Sequence, residues 1–160
     1  MAAYTTSNIK LIVYDFDGVM TDNTVIVDQN GVEAVRVSRA DSLAVGMFKR
    51  AGISQLILSM ESNKVVAARA RKLGLPVIQG CCNKRKALLK FCGNKAIALD
   101  KVLYVGNDVN DYDVMNAVGF RVCPADAHPC IRKISGIVTK KKGGEGVIRE
   151  LAGRLGAAKI

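Results

Sequence analysis

Short apolar runs alternate with segments of helical periodicity along most of the chain. The runs predict strands at residues 9–14, 55–58, 76–78, 102–105 and 120–122. The periodic segments between them predict helices at residues 41–51, 63–73, 83–92 and 110–118. Strands that are apolar throughout and separated by helices are typical of a parallel sheet covered on both faces. We therefore predict an α/β fold with a three-layer, Rossmann-like parallel sheet.

Two regions depart from this alternation. Residues 24–37 hold two β-branched runs on either side of Gln29-Asn30-Gly31, and Asn-Gly between such runs predicts a β-hairpin. This hairpin is a small insertion after the first strand and is expected to act as a flap. Near the end, Gly143-Gly144 precedes residues 145–155, whose apolar spacing predicts a last helix docked on the sheet. For the first helix, Asp41 is the predicted N-cap.

Length and composition predict one domain over residues 1–160. The 160 residues are 49% hydrophobic and 24% charged, which is typical of a globular protein. No apolar run approaches the roughly 20 residues of a membrane-spanning helix, and residues 1–10 lack the apolar core of a secretory signal. The five cysteines include the adjacent pair Cys81-Cys82, which favours reduced thiols over a disulfide framework or a zinc site. We expect a cytoplasmic protein with no membrane contact.

Charge narrows the class of partner. Lys and Arg number 24 against 14 Asp and Glu, and the resulting formal net charge of +10 attracts anions at long range. A phosphorylated or carboxylated small molecule fits this charge. Nucleic acid is the alternative, but the basic residues are scattered, and four Tyr, four Phe and no Trp supply few rings for base stacking. We predict a small-molecule substrate and no nucleic-acid partner.

The strongest chemical signal follows the first predicted strand. That strand runs into Asp15-Phe16-Asp17-Gly18, and ligand sites in open α/β sheets lie at such carboxyl ends. If the strand geometry continues, the carboxyls of Asp15 and Asp17 point the same way and together can hold a hard cation. The alternative is that both residues only begin a turn. Further polar signals at Ser59, Lys84 and residues 106–111 favour the chemical interpretation.

In this order the motifs resemble those of the haloacid dehalogenase superfamily, and the resemblance extends over nearly the whole chain. That family has D-x-D-G after the first strand, then a Ser or Thr, a Lys and an acidic fourth motif, which here is G-N-D-V-N-D. The resemblance implies a magnesium-dependent phosphatase with Asp15 as nucleophile and Asp17 as proton shuttle. It also implies that Ser59 and Lys84 bind phosphate. The implied ligands of Mg²⁺ are Asp15, Asp17, Asn107 and Asp108.

Two positions depart from the family pattern. Asn107 stands where close relatives have a metal-binding Asp, so it keeps a carbonyl oxygen and lacks the negative charge. Weaker Mg²⁺ binding is expected unless Asp108 or Asp111 compensates. The second motif reads Ser59-Met60-Glu61 where relatives often have Thr-Gly followed by Arg or Glu, which leaves the local loop shape open.

Within the superfamily the chain most resembles a nearly capless branch. This branch includes 3-deoxy-manno-octulosonate 8-phosphate phosphatase, nonulosonate 9-phosphate phosphatases and the C-terminal domain of some acylneuraminate cytidylyltransferases. The resemblance rests on D-F-D-G-V-M-T-D, on the predicted hairpin and on G-G-E-G-V-I-R-E. It implies an acidic sugar phosphate as substrate, and a homotetramer in which the hairpin and a neighbouring subunit cover the pocket.

The same resemblance bears on the choice of substrate. Glu61 favours a nonulosonate 9-phosphate over an octulosonate 8-phosphate. Arg69 and Lys72 match positions that reach the substrate carboxylate in a neighbouring subunit, although a solvated helix face is the alternative interpretation for both. His128, the only histidine, is predicted to cap or pack rather than to catalyse.

A second hypothesis is a weakly active or non-catalytic oligomerisation domain associated with an acylneuraminate cytidylyltransferase. Asn107 favours this hypothesis, because it is the change expected in a decaying metal site. The presence of Asp15, Asp17 and Lys84 favours the enzyme.

Overall fold

A computed structural model of the protein describes residues 4–157. Its strands are β1 (Leu11–Tyr14), β2 (Ile26–Val27), β3 (Glu33–Ala34), β4 (Ser54–Leu58), β5 (Val77–Ile78), β6 (Val102–Val105), β7 (Phe120–Cys123) and β8 (Ile137–Val138). Its helices are α1 (Arg39–Arg50), α2 (Lys64–Leu73), α3 (Lys84–Lys95), α4 (Tyr112–Asn116), α5 (Pro129–Ile134) and α6 (Val147–Arg154).

Six of the strands form one parallel sheet in the order β5-β4-β1-β6-β7-β8. β1 lies between β4 and β6, with Tyr14 opposite Ile57 on one side and opposite Val105 on the other. The carboxyl ends of β1, β4 and β6 therefore meet at one edge of the sheet. This is the place where open α/β sheets form ligand sites.

Helices cover both faces of this sheet. Side chains alternate along β1, so that Ile12 and Tyr14 pack against α1, α2 and α6, whereas Leu11 and Val13 pack against α3, α4 and α5. β1 is fully buried for this reason, which explains why its sequence is apolar throughout. The predicted three-layer α/β architecture is confirmed.

The hairpin lies between β1 and α1, as predicted. β2 and β3 pair antiparallel, and Gly31 takes a positive φ of 75° at the turn, which glycine adopts at little cost. The Asp28 carboxylate accepts hydrogen bonds from the backbone amides of Asn30 and Val32, which fixes the turn. Four apolar side chains of this segment stay exposed: Val25, Ile26, Val27 and Val32.

The structure corrects the start of the first helix. Ser38, not Asp41, is the N-cap of α1, and its hydroxyl accepts a hydrogen bond from the Ala40 amide. Asp41 lies in the first turn, where it is 2% exposed and accepts a hydrogen bond from the Arg149 amide at 2.9 Å. Asp41 therefore connects α1 to α6.

None of the helices within residues 4–157 combines the length and apolarity that crossing a bilayer requires.

Candidate active site

A pocket of about 320 Å³ opens at the carboxyl ends of the central strands. Asp15 follows β1, Ser59 follows β4, and Asn107 comes shortly after β6. Because these three strands are neighbours in a parallel sheet, residues far apart in sequence meet at the same edge. Asp15, Asp17, Ser59, Glu61, Asn107 and Asp108 all line this pocket.

Lys84 places a positive charge next to Asp15. It is the first residue of α3 and is 3% exposed, and its Nζ atom lies 2.8 Å from Asp15 Oδ1. Burial alone would lower the pKa of Lys84, but the carboxylates of Asp15 and Asp111 more than offset this effect, so its pKa lies above the usual value. Lys84 is therefore a fixed cation.

Asp111 holds this lysine in place. Its Oδ1 atom accepts hydrogen bonds from Lys84 Nζ at 2.7 Å and from the Tyr104 hydroxyl at 2.9 Å. Its Oδ2 atom accepts from the Asn107 amide at 2.9 Å. With both oxygens engaged and no exposed surface, Asp111 does not line the pocket.

Asp15 is a buried carboxyl whose pKa lies above its usual value. Burial and the nearby Asp111 carboxylate raise the pKa of Asp15 to about 8, although Lys84 and the Phe16 amide act in the opposite direction. A carboxyl must be ionised to attack phosphorus. A divalent cation next to Asp15 would favour the ionised form, since an opposite charge stabilises a carboxylate.

Asp17 lies in a turn rather than on a strand. β1 ends at Tyr14, and the Phe16 carbonyl accepts hydrogen bonds from the Met20 and Thr21 amides. The Thr21 hydroxyl donates to Asp17 Oδ1 at 3.3 Å. Burial raises the pKa of Asp17, as do the charges of Glu61 and Glu33, while the Thr21 hydrogen bond lowers it. A raised pKa suits a group that must deliver a proton.

Ser59 presents a hydroxyl to the pocket. Its Oγ atom accepts a hydrogen bond from the Glu61 amide at 3.1 Å, which leaves the hydroxyl proton free to be donated. Ser59 is 1% exposed, and its backbone is held by hydrogen bonds to Ile78 and Cys81. The Glu61 side chain is exposed at the pocket wall.

The remaining predicted substrate residues lie outside this pocket. Arg69 Nη2 donates hydrogen bonds to the Ser38 carbonyl and to Ser42 Oγ, each at 3.0 Å, so its guanidinium is directed at the start of α1. Lys72 is exposed on α2. Their contact with a neighbouring subunit stays a prediction. His128 is the N-cap of α5, where its Nδ1 atom accepts from the Cys130 amide, as expected.

The oxygen atoms needed for a cation converge beside Asn107. Asp15 Oδ2 and the Asp17 carbonyl oxygen both lie within hydrogen-bond distance of the Asn107 carboxamide. A carboxylate, a backbone carbonyl and an amide oxygen are ligands that Mg²⁺ accepts, so the residues fit the ion. Within residues 4–157, no group of three or more His, Cys, Asp or Glu side chains could hold a metal by itself. Asp108 reaches the pocket rim, where its Oδ1 atom accepts from the Val109 amide.

Sequence reasoning missed two residues that shape the pocket. Glu33 on β3 accepts a hydrogen bond from Asn63 Nδ2, and this contact brings the hairpin against the start of α2. Asn63 also caps α2 through Val65. Its position just before a helical pattern could have identified the cap, but nothing in the sequence indicates its pairing with Glu33.

Comparison with known proteins now assigns the family. Residues 49–151 match the haloacid dehalogenase-like hydrolase family. The chain belongs to that family. It is 34% identical over 145 residues to the 3-deoxy-D-manno-octulosonate 8-phosphate phosphatase of Escherichia coli (strain K12), covering 90% of this chain and 77% of the relative. Among haloacid dehalogenase-like hydrolases it thus stands with a branch of phosphoric monoester hydrolases.

Solved structures of this family support the same assignment. A HAD family hydrolase of Streptomyces avermitilis has a TM-score of 0.95 at 44% identity, with 98% of this chain and 90% of that one covered. The 3-deoxy-D-manno-octulosonate 8-phosphate phosphatase of Moraxella catarrhalis, in complex with magnesium, phosphate and KDO, has a TM-score of 0.90 at 30% identity. That comparison covers 95% of this chain and 88% of the other.

Proposed function

We propose that this hydrolase is a magnesium-dependent phosphatase of an acidic sugar phosphate, acting through an aspartyl-phosphate intermediate. One observation carries the proposal: the Lys84 ammonium lies 2.8 Å from the carboxylate of Asp15, which lines the same pocket as Asp17 and Ser59. Relatives named as sugar phosphate phosphatases, one with magnesium and phosphate bound, support it.

The proposed reaction has two steps. Asp15 attacks phosphorus, an oxygen–phosphorus bond forms, and the bond to the sugar oxygen breaks as Asp17 donates its proton to that oxygen. Asp17 then accepts a proton from the water that attacks the aspartyl phosphate, which releases phosphate and restores Asp15. Lys84 and the Ser59 hydroxyl stabilise the phosphoryl oxygens. When bound, Mg²⁺ neutralises the charge shared by the nucleophile and the phosphoryl group.

The pocket wall favours hydroxyl groups next to the phosphate. Beyond the catalytic residues it carries Asn23, Thr24, Glu33, Glu61 and Asn63, and no Lys or Arg lines it within the described chain. Carboxylates accept hydrogen bonds from hydroxyls and repel other carboxylates. In octulosonate 8-phosphates and nonulosonate 9-phosphates the carboxylate and the phosphate stand at opposite ends of the carbon chain. We propose either acid as the substrate, with the longer one preferred because Glu61 resembles the residue of the nonulosonate branch.

The substrate carboxylate then needs a cation from outside this protomer. We propose that a homotetramer supplies it, and that the exposed Lys72 of a neighbouring subunit is one source. Arg69 is the other candidate, but its guanidinium would first have to release Ser38 and Ser42. The exposed apolar hairpin supports assembly, since contiguous apolar surface is typical of interaction sites.

The experiment is a phosphate-release screen across eight-carbon and nine-carbon acidic sugar phosphates, with Mg²⁺ and with chelator. We expect turnover that requires Mg²⁺ and falls at least 10³-fold in Asp15→Asn, because the nucleophile is lost. The matched control is Asp113→Asn, an exposed change on α4 that removes the same charge. Equal activity of Asp15→Asn and the native chain would refute the mechanism.

Asn107 favours one alternative function, that of a weakly active or non-catalytic domain associated with an acylneuraminate cytidylyltransferase. A non-catalytic domain would release no phosphate from any acid in the screen at millimolar Mg²⁺, and a weakly active one would release it only slowly. This alternative also predicts that Asp15→Asn leaves assembly with such an enzyme unchanged. Rapid turnover that is lost in Asp15→Asn would exclude it.

A further inference from the structure

The Asn107 side chain lies where a cation would bind. Two acceptors face its carboxamide, and one of them, the Asp17 carbonyl oxygen, can only accept a hydrogen bond. The amide orientation is assigned from these acceptors: with its nitrogen facing them, it donates to Asp17 O at 2.9 Å and to Asp15 Oδ2 at 3.1 Å. These are the same two oxygens that are proposed to bind Mg²⁺.

The surrounding structure holds this side chain in place. Asn107 is 8% exposed, its amide N–H donates to Asp111 Oδ2, and its carbonyl accepts from the His128 amide at 2.8 Å. The carboxamide also lies directly against Gly18, where a Cβ atom would be 2.0 Å from it. Rotation of the terminal amide by about 180° is therefore the simplest way to change which atom faces the two oxygens.

We propose that the Asn107 amide is a built-in competitor of the metal ion, joining Asp15 to the Asp17 carbonyl when no cation is bound. Binding of Mg²⁺ must break both hydrogen bonds and turn the amide so that its oxygen faces the ion. An Asp at this position would destabilise the metal-free form and strengthen Mg²⁺ binding. Without a cation its carboxylate would face the Asp17 carbonyl oxygen with no hydrogen bond between them, and with a cation it would contribute a full negative charge.

Neither of the neighbouring acids, Asp108 and Asp111, removes this competition. Asp111 is fully engaged by Lys84, Tyr104 and the Asn107 backbone. Asp108 is at the pocket rim and its Oδ1 atom accepts from Val109. Asn107 should therefore weaken Mg²⁺ binding and stabilise the metal-free chain. The two effects are linked, since a ligand stabilises the state that it prefers.

The test measures metal binding and stability without any substrate. Mg²⁺ affinity is measured by calorimetry, and thermal unfolding is followed in chelator and across a Mg²⁺ series, for the native chain and Asn107→Asp. We expect Asn107→Asp to bind Mg²⁺ at least tenfold more tightly, to unfold at a lower temperature in chelator, and to gain more from Mg²⁺ than the native chain does.

Two further variants keep the test decisive. Asn110→Asp adds the same charge to the same pocket away from the bridging position, and it should give less than a third of the affinity gain. Asn107→Ala removes both hydrogen bonds without adding charge, so it should unfold at a lower temperature in chelator even if Asn107→Asp does not fold there.

Three results would overturn the proposal. These are equal Mg²⁺ affinity of the native chain and Asn107→Asp within threefold, an equal gain in Asn110→Asp, or an unchanged unfolding temperature of Asn107→Ala in chelator. None of these measurements involves a sugar phosphate. Failure of the substrate screen would therefore leave the inference standing, and its own failure would leave the substrate open.

Discussion

Asp41 is a buried acid at the junction of two helices. Burial raises its pKa to about 6, even though hydrogen bonds from the Arg149 and Ile148 amides and the charge of Arg69 act in the opposite direction. Asp41 Oδ2 has no hydrogen-bond partner among the described residues. The ionised form is therefore poorly accommodated in the folded chain, and this has a measurable consequence for stability.

The consequence is a pH-dependent free energy of unfolding. The folded chain holds the Asp41 proton more tightly than the unfolded chain, so the contribution of Asp41 is favourable below about pH 4 and is lost as the pH rises to about 6. Asp41→Asn removes this dependence. From pH 4 to pH 7, its free energy of unfolding should rise by about 1–3 kcal/mol relative to the native chain.

Chemical denaturation at the two pH values measures this change. A constant cost of the substitution cancels in the comparison, because only the difference between the two pH values counts. The control Asp113→Asn removes an exposed carboxyl from α4, and its difference between the two pH values is the baseline for Asp41→Asn. A flat difference for Asp41→Asn as well would show that Asp41 is not the titrating group.

Individual residues could be predicted where local sequence determines their place. Asp15, Ser59 and Asn107 could be assigned to the pocket because each follows an apolar strand. The Lys84–Asp111 contact joins residues 27 positions apart, and only the order of the strands brings them together. The orientation of the Asn107 amide depends on two acceptors from another loop, which no local pattern encodes. Asp41 was misassigned because α1 begins two residues earlier than its polar signal suggests.

At the scale of elements, strands and helices with a strong hydrophobic pattern were predicted close to their observed positions, and those with a weak pattern were missed. β6 was predicted without error, because four consecutive apolar residues mark a strand buried on both faces. β8 has two residues at the edge of the sheet, too few to show a period, and α5 has only six. The hairpin was found from its Asn-Gly turn, although its contact with α2 was not.

That contact gives a prediction for the hairpin. Asn63 both caps α2 and donates to Glu33, and Asn63→Asp separates the two roles, since Asp is also a good cap but cannot donate. We expect α2 to stay folded while β2 and β3 open more often. Loss of about 1–2 kcal/mol corresponds to roughly 5- to 30-fold faster hydrogen exchange of the hairpin amides.

A double variant supplies the control. Glu33→Gln combined with Asn63→Asp restores a donor and an acceptor with their roles exchanged, so hairpin exchange should return toward the native rate. Hairpin exchange that is unchanged in Asn63→Asp, or that is not restored in the double variant, would show that the contact does not hold the hairpin down.

At the scale of the whole molecule, the described chain has a pocket with no Lys or Arg in its wall and an exposed apolar surface on the hairpin. The pocket wall offers no cation to a substrate carboxylate within residues 4–157. The hairpin at its edge exposes apolar side chains, among them Ile26, which is 72% exposed. A second copy packed on the hairpin would resolve both features, because it would cover the apolar surface and could bring Lys72 to the pocket.

Ile26→Lys tests this assembly. The substitution should not disturb the protomer fold, because Ile26 makes few contacts there, but a lysine buried in an interface costs several kcal/mol unless it is paired. We expect light scattering to show a smaller assembly than for the native chain. We also expect KM for the sugar phosphate to rise with kcat less affected, since a neighbour's contribution to binding is lost.

Leu89→Lys places the same charge on an exposed position of α3, outside the hairpin, and should change neither property. A native chain that is monomeric, or an Ile26→Lys variant that keeps both its size and its KM, would show that the hairpin is not the interface.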